Sequence, residues 1–210
     1  MLDIVYKGII IGILVSAPMG PIGLMCIQRT LNKGRWHGFF SGVGAAISDL
    51  FYAAITCLGL GIVISFVETH RDILQIIGSI LLILFGLYTF LSKPDEHYRS
   101  QGSGRVSTYS QDALTAFLLT LSNPLIILLY IAFLAQFNFI APDETFASIV
   151  IGLFCIMLGA ILWWFLITTI VSQLRGFFKL RGLWIMNKVV GVIIIILSLL
   201  GIIYTVLGMN

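Results

Sequence analysis

Six long apolar stretches constrain the fold of this chain more than any other feature. They cover residues 4–27, 38–66, 73–91, 113–137, 146–171 and 185–207. A helix needs about 20 mostly apolar residues to cross the hydrocarbon core of a bilayer. Only 10% of the residues are charged, whereas soluble domains carry about 25%. The sequence therefore predicts an all-α integral membrane protein with six transmembrane helices, and nothing in it indicates nucleic-acid binding.

The distribution of basic residues predicts how the helices are oriented. All Lys and Arg residues except Lys7 and Arg71 lie in, or at the edge of, the first, third and fifth segments between the apolar stretches. Because short cytoplasmic loops carry an excess of Lys and Arg, we expect these three segments to face the cytoplasm. With six spans, both termini then lie outside.

The longest hydrophilic segment, residues 92–112, is expected to be a cytoplasmic linker. It divides a single membrane domain, 1–210, into two groups of three helices, 1–91 and 113–210. Because three is an odd number, the second group must be inverted relative to the first. Inverted repeats of this kind are typical of secondary transporters.

Helix-breaking residues occur at corresponding places in the two halves. The first span contains Pro18, Gly20 and Pro21, and the fourth contains Asn123 and Pro124. Proline removes a backbone donor and disturbs the preceding turn. Simple kinks would explain each site separately. Paired interruptions in corresponding spans favour two broken helices around a transport site.

Asp49 is the one charged residue in the stretch 38–66. An ionised carboxylate at mid-bilayer costs about 3 kcal/mol and normally faces a protein interior or a watery cavity. A hydrogen bond to a neighbouring helix is the simpler explanation. At about 1.5 Å per residue, however, Asp49 falls near the depth of both breaks. We therefore expect Ser48 and Asp49 to form a site with Asn123 and with the groups that the breaks free.

Such a site would suit a ligand that carries both a positive and a negative charge. Freed carbonyl groups and Asp49 could bind a proton, a cation or an ammonium group, and exposed amide groups at a half-helix start could bind a carboxylate. Trp163 lies deep in the fifth span, where it either packs in the core or lines the cavity. The three cysteines are scattered singly, so neither a redox pair nor a metal or other cofactor is indicated. Gly34, Gly38 and Gly42 predict close helix packing, and a homodimer through glycine-lined faces is a further expectation.

Several of these motifs, taken in order, resemble those of the LysE family of amino-acid exporters, the lysine-, arginine- and homoserine-type translocators. The motifs are Pro18-x-Gly20-Pro21, Ala46-Ile47-Ser48-Asp49, Asn123-Pro124, Leu162-Trp163 and Asn187-x-Val189-Val190-Gly191. The resemblance implies a bacterial inner-membrane protein, not an enzyme, that exports amino acids by proton antiport with alternating access. It further implies that Pro18, Gly20 and Pro21 shape one break, that Asp49 carries the proton or meets the substrate amine, and that Asn123 and Pro124 form the other break.

Two departures from the family pattern affect the expected substrate. Members similar to the exporters of basic amino acids carry an acidic residue soon after the Asn-Pro pair, whereas residues 125–130 here are Leu-Ile-Ile-Leu-Leu-Tyr. Many relatives also have Lys where this chain has Leu125. One carboxylate balances one positive charge, so we expect neutral or small amino acids. The alternative is an inorganic cation or metal-ion exporter, which would need several oxygen or sulfur ligands.

Overall fold

A computed structural model describes residues 2–18, 20–62, 71–91, 107–123, 125–139, 145–173 and 180–207. Within these ranges the chain forms eight helices and no strand. In chain order they are α1 (Leu2–Ser16), α2 (Pro21–Lys33), α3 (Arg35–Ile62), α4 (Arg71–Leu91), α5 (Tyr109–Leu121), α6 (Leu125–Gln136), α7 (Phe146–Gln173) and α8 (Leu180–Val206). The helical content agrees with the prediction of an all-α membrane protein.

Both predicted helix breaks are present. The axes of α1 and α2 differ by 80°. Gly20 precedes α2 with an extended backbone, and Pro21 is the first residue of the helix, where its missing N–H costs nothing. The axes of α5 and α6 differ by 76°. The second break follows Ser122 and Asn123, and Pro124 itself lies outside the described residues.

The helices are long and apolar enough for a multi-pass membrane protein. Three single segments could each cross a bilayer: Arg35–Gly59 in α3, Phe146–Gln173 in α7 and Asn187–Val206 in α8. Each bent pair, α1 with α2 and α5 with α6, also has the length and composition of one span. The predicted third span corresponds to α4, whose described apolar segment, Gln75–Leu91, is shorter.

The predicted linker is too long at its C-terminal end. Helix α5 begins at Tyr109 because Thr108 and Gln111 form a capping box. The Thr108 hydroxyl accepts a hydrogen bond from the Gln111 backbone N–H, and the Gln111 side chain accepts one from the Thr108 backbone N–H. This arrangement satisfies two donors that a helix start otherwise leaves free. Residues 109–112, which the sequence analysis assigned to the linker, are therefore helical.

Glycines allow neighbouring helices to approach closely. A Cβ atom on Gly12 of α1 would overlap the carbonyl oxygen of Ile156 in α7, and one on Gly159 would overlap that of Ile9. In the same way, Gly86 of α4 and Gly191 of α8 each face the other's carbonyl oxygen. Helix association in membranes relies on such small residues because lipid tails are as apolar as the helices.

The glycines of α3 pack against three different helices rather than forming one small-residue face. A Cβ on Gly38 would overlap Thr30 of α2, and one on Gly44 would overlap the Ala113 carbonyl oxygen of α5. Gly42 lies against the Trp164 side chain of α7. The predicted close packing is thus present at Gly38 and Gly42, within the chain, whereas a Cβ on Gly34 would meet no atom within 4 Å. The homodimer stays a prediction.

The two halves of the chain pack in a corresponding way. Helices α3 and α7 contact each other in the centre, with α1 against α7 and α5 against α3. The half-helices after the breaks follow the same rule, since α2 contacts α7 and α6 contacts α3. Helices α4 and α8 also pair. One difference is that α2 packs against α3, whereas α6 packs against α4.

Candidate functional site

Helix α3 lies between the two breaks and contacts both. The Asp49 carboxylate accepts a hydrogen bond from the Ser16 hydroxyl, 3.4 Å away, at the end of α1. One turn further along α3, the Tyr52 hydroxyl donates to the Leu121 carbonyl oxygen at 2.7 Å and lies 3.4 Å from that of Asn123. The structure thus brings Asp49 and Asn123 to one region, next to both interruptions.

Ser48 joins two helices. Its buried hydroxyl donates to the Phe117 carbonyl oxygen of α5 at 2.7 Å. The sequence analysis grouped Ser48 with the oxygen atoms of the site, but its one proton is used to hold α3 against α5. Such a bond between helices keeps the next residue, Asp49, at a defined rotation.

The residues of the first break divide between the interior and the surface. Ser16 and Ala17 are buried, Pro18 is half-buried, and Gly20 and Pro21 are exposed. A Cβ on Gly20 would meet no atom within 4 Å. The end of α1 therefore bonds to Asp49, while Gly20 and Pro21 are exposed.

The Asp49 carboxylate is buried and poorly satisfied. Asp49 is 4% exposed. Among the described residues, the hydrogen bond from Ser16 is its one such partner, and no cation pairs with it. A 3.4 Å O–H···O distance is long, because such bonds are usually about 2.5–3.0 Å, and a carboxylate has about four acceptor positions. A proton, an ammonium group or another donor would complete this bonding.

Buried donors also lie in this region without partners. The Tyr130 hydroxyl in α6 and the Trp163 and Trp164 indole nitrogens in α7 have no hydrogen-bond acceptor among the described residues. Tyr130 is fully buried and belongs to the hydrophobic cluster that contains Ala17, the residue after Ser16. Trp163 packs against the hydrophobic cluster that contains Tyr130. Sequence reasoning missed Tyr130, although a lone hydroxyl in the apolar run 125–135 was a usable signal.

A second polar cluster centres on Asp112 in the first turn of α5. The residue is 1% exposed. Its Oδ1 atom lies 3.3 Å from Arg29 Nε and 3.8 Å from Lys33 Nζ, and its Oδ2 atom lies 2.6 Å from His37 Nδ1. The Ser107 hydroxyl donates to Oδ1 at 2.9 Å. This Asp112 cluster links α2, α3 and α5.

Arg29 makes further bonds across the same contact. One of its terminal nitrogens donates to the Ser41 hydroxyl and to the Asp112 carbonyl oxygen, and the other donates to the Thr115 hydroxyl, each at 2.8 Å. The sequence analysis missed this cluster, because it placed Asp112 in the linker. A capped helix with an acidic first turn, beside a basic segment, was the signal that could have found it.

Metal binding has no support in the described part of the chain. Residues 2–207, apart from the gaps given above, contain no group of three or more His, Cys, Asp or Glu side chains that could hold a metal ion. The Asp112 cluster contributes one carboxylate and one imidazole, and two cations occupy its remaining neighbourhood.

An all-helical membrane domain with two broken helices at one buried carboxylate is the architecture of a membrane transport protein. The sequence profile of LysE type translocators matches residues 13–205. This chain therefore belongs to the LysE type translocator family, whose members are transport proteins.

Relatives from two bacteria are similar over much of the chain. A Bacillus subtilis (strain 168) protein named "Putative amino acid efflux protein YcgF" is 29% identical over 193 residues, which cover 87% of this chain and 88% of the relative. The uncharacterized membrane protein YrhP of the same organism is 23% identical over 82% of this chain and 85% of its own length. The uncharacterized membrane protein YahN of Escherichia coli (strain K12) is 28% identical over 50% of this chain and 48% of its own. No solved structure matches the chain.

Proposed function

We propose that this protein exports neutral or small amino acids from the cytoplasm across a bacterial inner membrane, in exchange for protons. The observation that carries the proposal is the buried, poorly satisfied Asp49 carboxylate between two broken helices. Membership of the LysE type translocator family and similarity to a protein named for amino acid efflux support it.

Asp49 exchanges one positively charged partner for another in this mechanism. When the site faces outward, the carboxylate takes a proton from the outside. When the site faces inward, the proton leaves and the substrate ammonium group binds in its place. The Ser16 hydroxyl, which now donates to Asp49, becomes free to accept a hydrogen bond when the carboxyl group carries a proton. Protonation thereby alters the contact between α3 and the end of α1.

The substrate preference follows from the charge at the breaks. In the described part of the chain, Asp49 is the acidic residue that lies beside Ser16 and Tyr52. One carboxylate balances the ammonium group of a neutral amino acid, whose own carboxylate then needs hydrogen-bond donors. Lysine or arginine would bring a second positive charge to a region where desolvating an unpaired charge is costly. Neutral amino acids therefore fit the site best.

Alternating access would use the relation between the two halves. The corresponding packing of α1 to α4 and α5 to α8 supports an inverted repeat of residues 1–91 and 113–210, with α4 as the third span. Arg29 and Lys33 belong to a segment that the charge rule assigns to the cytoplasm. The Asp112 cluster then closes the cytoplasmic side, since it ties α2 and α3 of the first half to α5 of the second. Substrate entry requires this cluster to open.

Asp49→Asn tests the coupling role, because it keeps the size of the side chain and removes its titration. Inverted membrane vesicles that contain the wild-type protein should accumulate radiolabelled neutral amino acids when their lumen is acidified. The Asp49→Asn variant should lose accumulation against a gradient by at least about tenfold, as expected when a general acid or base is removed. Asp3→Asn is the matched control, because Asp3 is exposed and paired with Lys7 near the opposite end of α1.

Two results would contradict the proposal. Proton-driven accumulation at the wild-type rate in the Asp49→Asn variant would remove Asp49 from the coupling step. Failure of the wild-type protein to move any of the standard amino acids, at a verified level in the vesicles, would refute amino-acid export itself.

A further inference from the structure

Tyr130 is the buried polar side chain for which the fold offers no internal explanation. It lies in α6, close to the second break, and is 0% exposed. Its hydroxyl has no hydrogen-bond partner among the described residues. An unsatisfied polar group inside a membrane protein costs several kcal/mol. A phenylalanine would fill the same space without this cost, so the hydroxyl group needs a partner that is absent from the described part of the chain.

Trp163 presents the same problem from another helix. Its indole nitrogen is buried and has no acceptor among the residues that the structure describes. The Trp163 side chain packs against the cluster that contains Tyr130 and also against the clusters around Leu24 and Cys26 on α2. It therefore contacts apolar residues around α2 as well as residues of the cluster that contains Tyr130. Ala17, at the first break, belongs to the same cluster as Tyr130.

The chemistry of these groups is complementary to that of Asp49. Indole nitrogen is a donor only, and a phenol hydroxyl donates readily to an anion. Asp49 is an acceptor that bonds to Ser16. Ala17, which follows Ser16, and Ala53, one turn beyond Asp49 on α3, belong to the hydrophobic cluster that contains Tyr130. The region thus offers one acid and two unpaired donors. A ligand that satisfies all three carries a positive donor group and a negative acceptor group a short distance apart.

We propose that Tyr130 and Trp163 bind the carboxylate of the substrate while Asp49 faces its amino group. The inference rests on the proposed export of amino acids and adds the residues that recognise the carboxylate. Two hydrogen bonds to a carboxylate are charge-assisted and stronger than bonds between neutral groups. The site then requires a free α-carboxylate, and it rejects amino-acid amides and methyl esters because they leave both donors poorly satisfied.

Competition binding tests this requirement in the wild-type protein without any substitution. Purified protein in detergent is incubated with tritium-labelled L-alanine, L-threonine or L-leucine, and the unlabelled acid, amide or methyl ester is added as competitor. We expect the amides and esters to need roughly 10- to 100-fold higher concentrations than the acids, the range of one or two lost bonds to a charged group. Equal competition by an acid and its amide would overturn the inference and leave amino-acid export standing.

Two conservative variants assign the effect to the residues. Tyr130→Phe and Trp163→Phe each remove one donor and should raise the apparent Kd for the acid by roughly tenfold or more, with little effect on the weak competition by the amide. The acid-to-amide ratio should therefore fall, which a purely structural defect would not cause. Tyr88→Phe, at an exposed tyrosine of α4, and Trp184→Phe, at an exposed tryptophan of α8, are the matched controls.

The outcomes separate this inference from the proposed function. A reduced acid-to-amide ratio in both variants, with wild-type ratios in both controls, supports it. Wild-type ratios in Tyr130→Phe and Trp163→Phe would overturn it while the labelled amino acid still binds. If none of the labelled amino acids binds or is exported, the proposed function fails, and this assignment fails with it.

Discussion

The proposed role of the Asp112 cluster in closing the cytoplasmic side can be tested quantitatively. Asp112→Asn keeps the side chain's size and its carbonyl oxygen but removes the negative charge. That charge now faces the Arg29 and Lys33 cations and the His37 ring. Any conformation that keeps the cluster together must then hold two cations near each other without a counter-charge. Conformations in which the cytoplasmic side is open avoid this cost.

The expected magnitude follows from the geometry. Breaking a fully buried ion pair typically costs about 3–5 kcal/mol. Here the Arg29 and Lys33 side chains are 17% and 32% exposed, so water screens part of the interaction. Arg29 also keeps its bonds to Ser41 and Thr115. We therefore expect a cost of about 2 kcal/mol to the closed conformation, which corresponds to a roughly thirty-fold shift in its equilibrium with the open one.

Labelling of Cys26 measures that equilibrium. Cys26 is fully buried on α2, one turn before Arg29, and packs against Ala45 and Trp164. In a background with Cys57 and Cys155 replaced by Ala, inverted vesicles are treated with a maleimide. When opening and closing are fast compared with the maleimide reaction, the labelling rate follows the open population, so Asp112→Asn should label up to roughly thirty times faster. Asp3→Asn should label at the parent rate.

One result would refute this reasoning. If Asp112→Asn unfolds at a lower temperature but Cys26 is labelled at the parent rate, the cluster stabilises the fold and has no part in gating. A saturating substrate can also be added to the solution around the inverted vesicles. If it abolishes the faster labelling, the open conformation is part of the transport cycle.

Four further substitutions, one of them a control, test the packing and the helix ends. Gly44→Ala should lower the free energy of unfolding by about 2 kcal/mol, because a Cβ there would overlap the backbone of α5. Gly59→Ala in the same helix is the control, since a Cβ there meets no atom within 4 Å and should be tolerated. Unfolding in SDS compares the two variants. Thr108→Ala removes the N-cap of α5 and should cost about 1 kcal/mol in the same assay. Tyr52→Phe removes the 2.7 Å bond to the Leu121 carbonyl oxygen and should also cost about 1 kcal/mol. Unchanged unfolding curves for Gly44→Ala would contradict the close approach of α3 to α5.

Features that depend on residues close together along the chain could be predicted from the sequence. The apolar runs predicted the helices, because burying a backbone in lipid requires every polar group to be bonded within the segment. Pro18 and Pro21 predicted the first break, and the Asn123-Pro124 pair predicted the second, since proline acts on the turn before it. The start of α5 was misjudged, because the capping box at Thr108 was read as part of a polar linker.

The candidate site could be predicted in part, because counting residues along a span gives the depth of each side chain in the membrane. Counting residues along each span placed Asp49 level with both breaks, and in the structure α3 contacts Ser16 at one break and the Leu121 carbonyl oxygen at the other. Counting does not give the rotation of a helix about its axis. A Cβ on Gly20 would meet no atom within 4 Å, and its place in the site stays a prediction.

Only the tertiary structure decided which distant side chains meet. Asp49 meets Ser16 across 33 residues, and Arg29 and His37 meet Asp112 across 83 and 75. These pairings follow from how closely glycines let the helices approach and from how each helix is rotated in the bundle. Hydropathy and helix breakers are properties of single segments and determine where each helix lies. Which faces of two helices touch is set by packing between segments, and so the partners of Asp112 and the burial of the Tyr130 hydroxyl were decided by the tertiary structure.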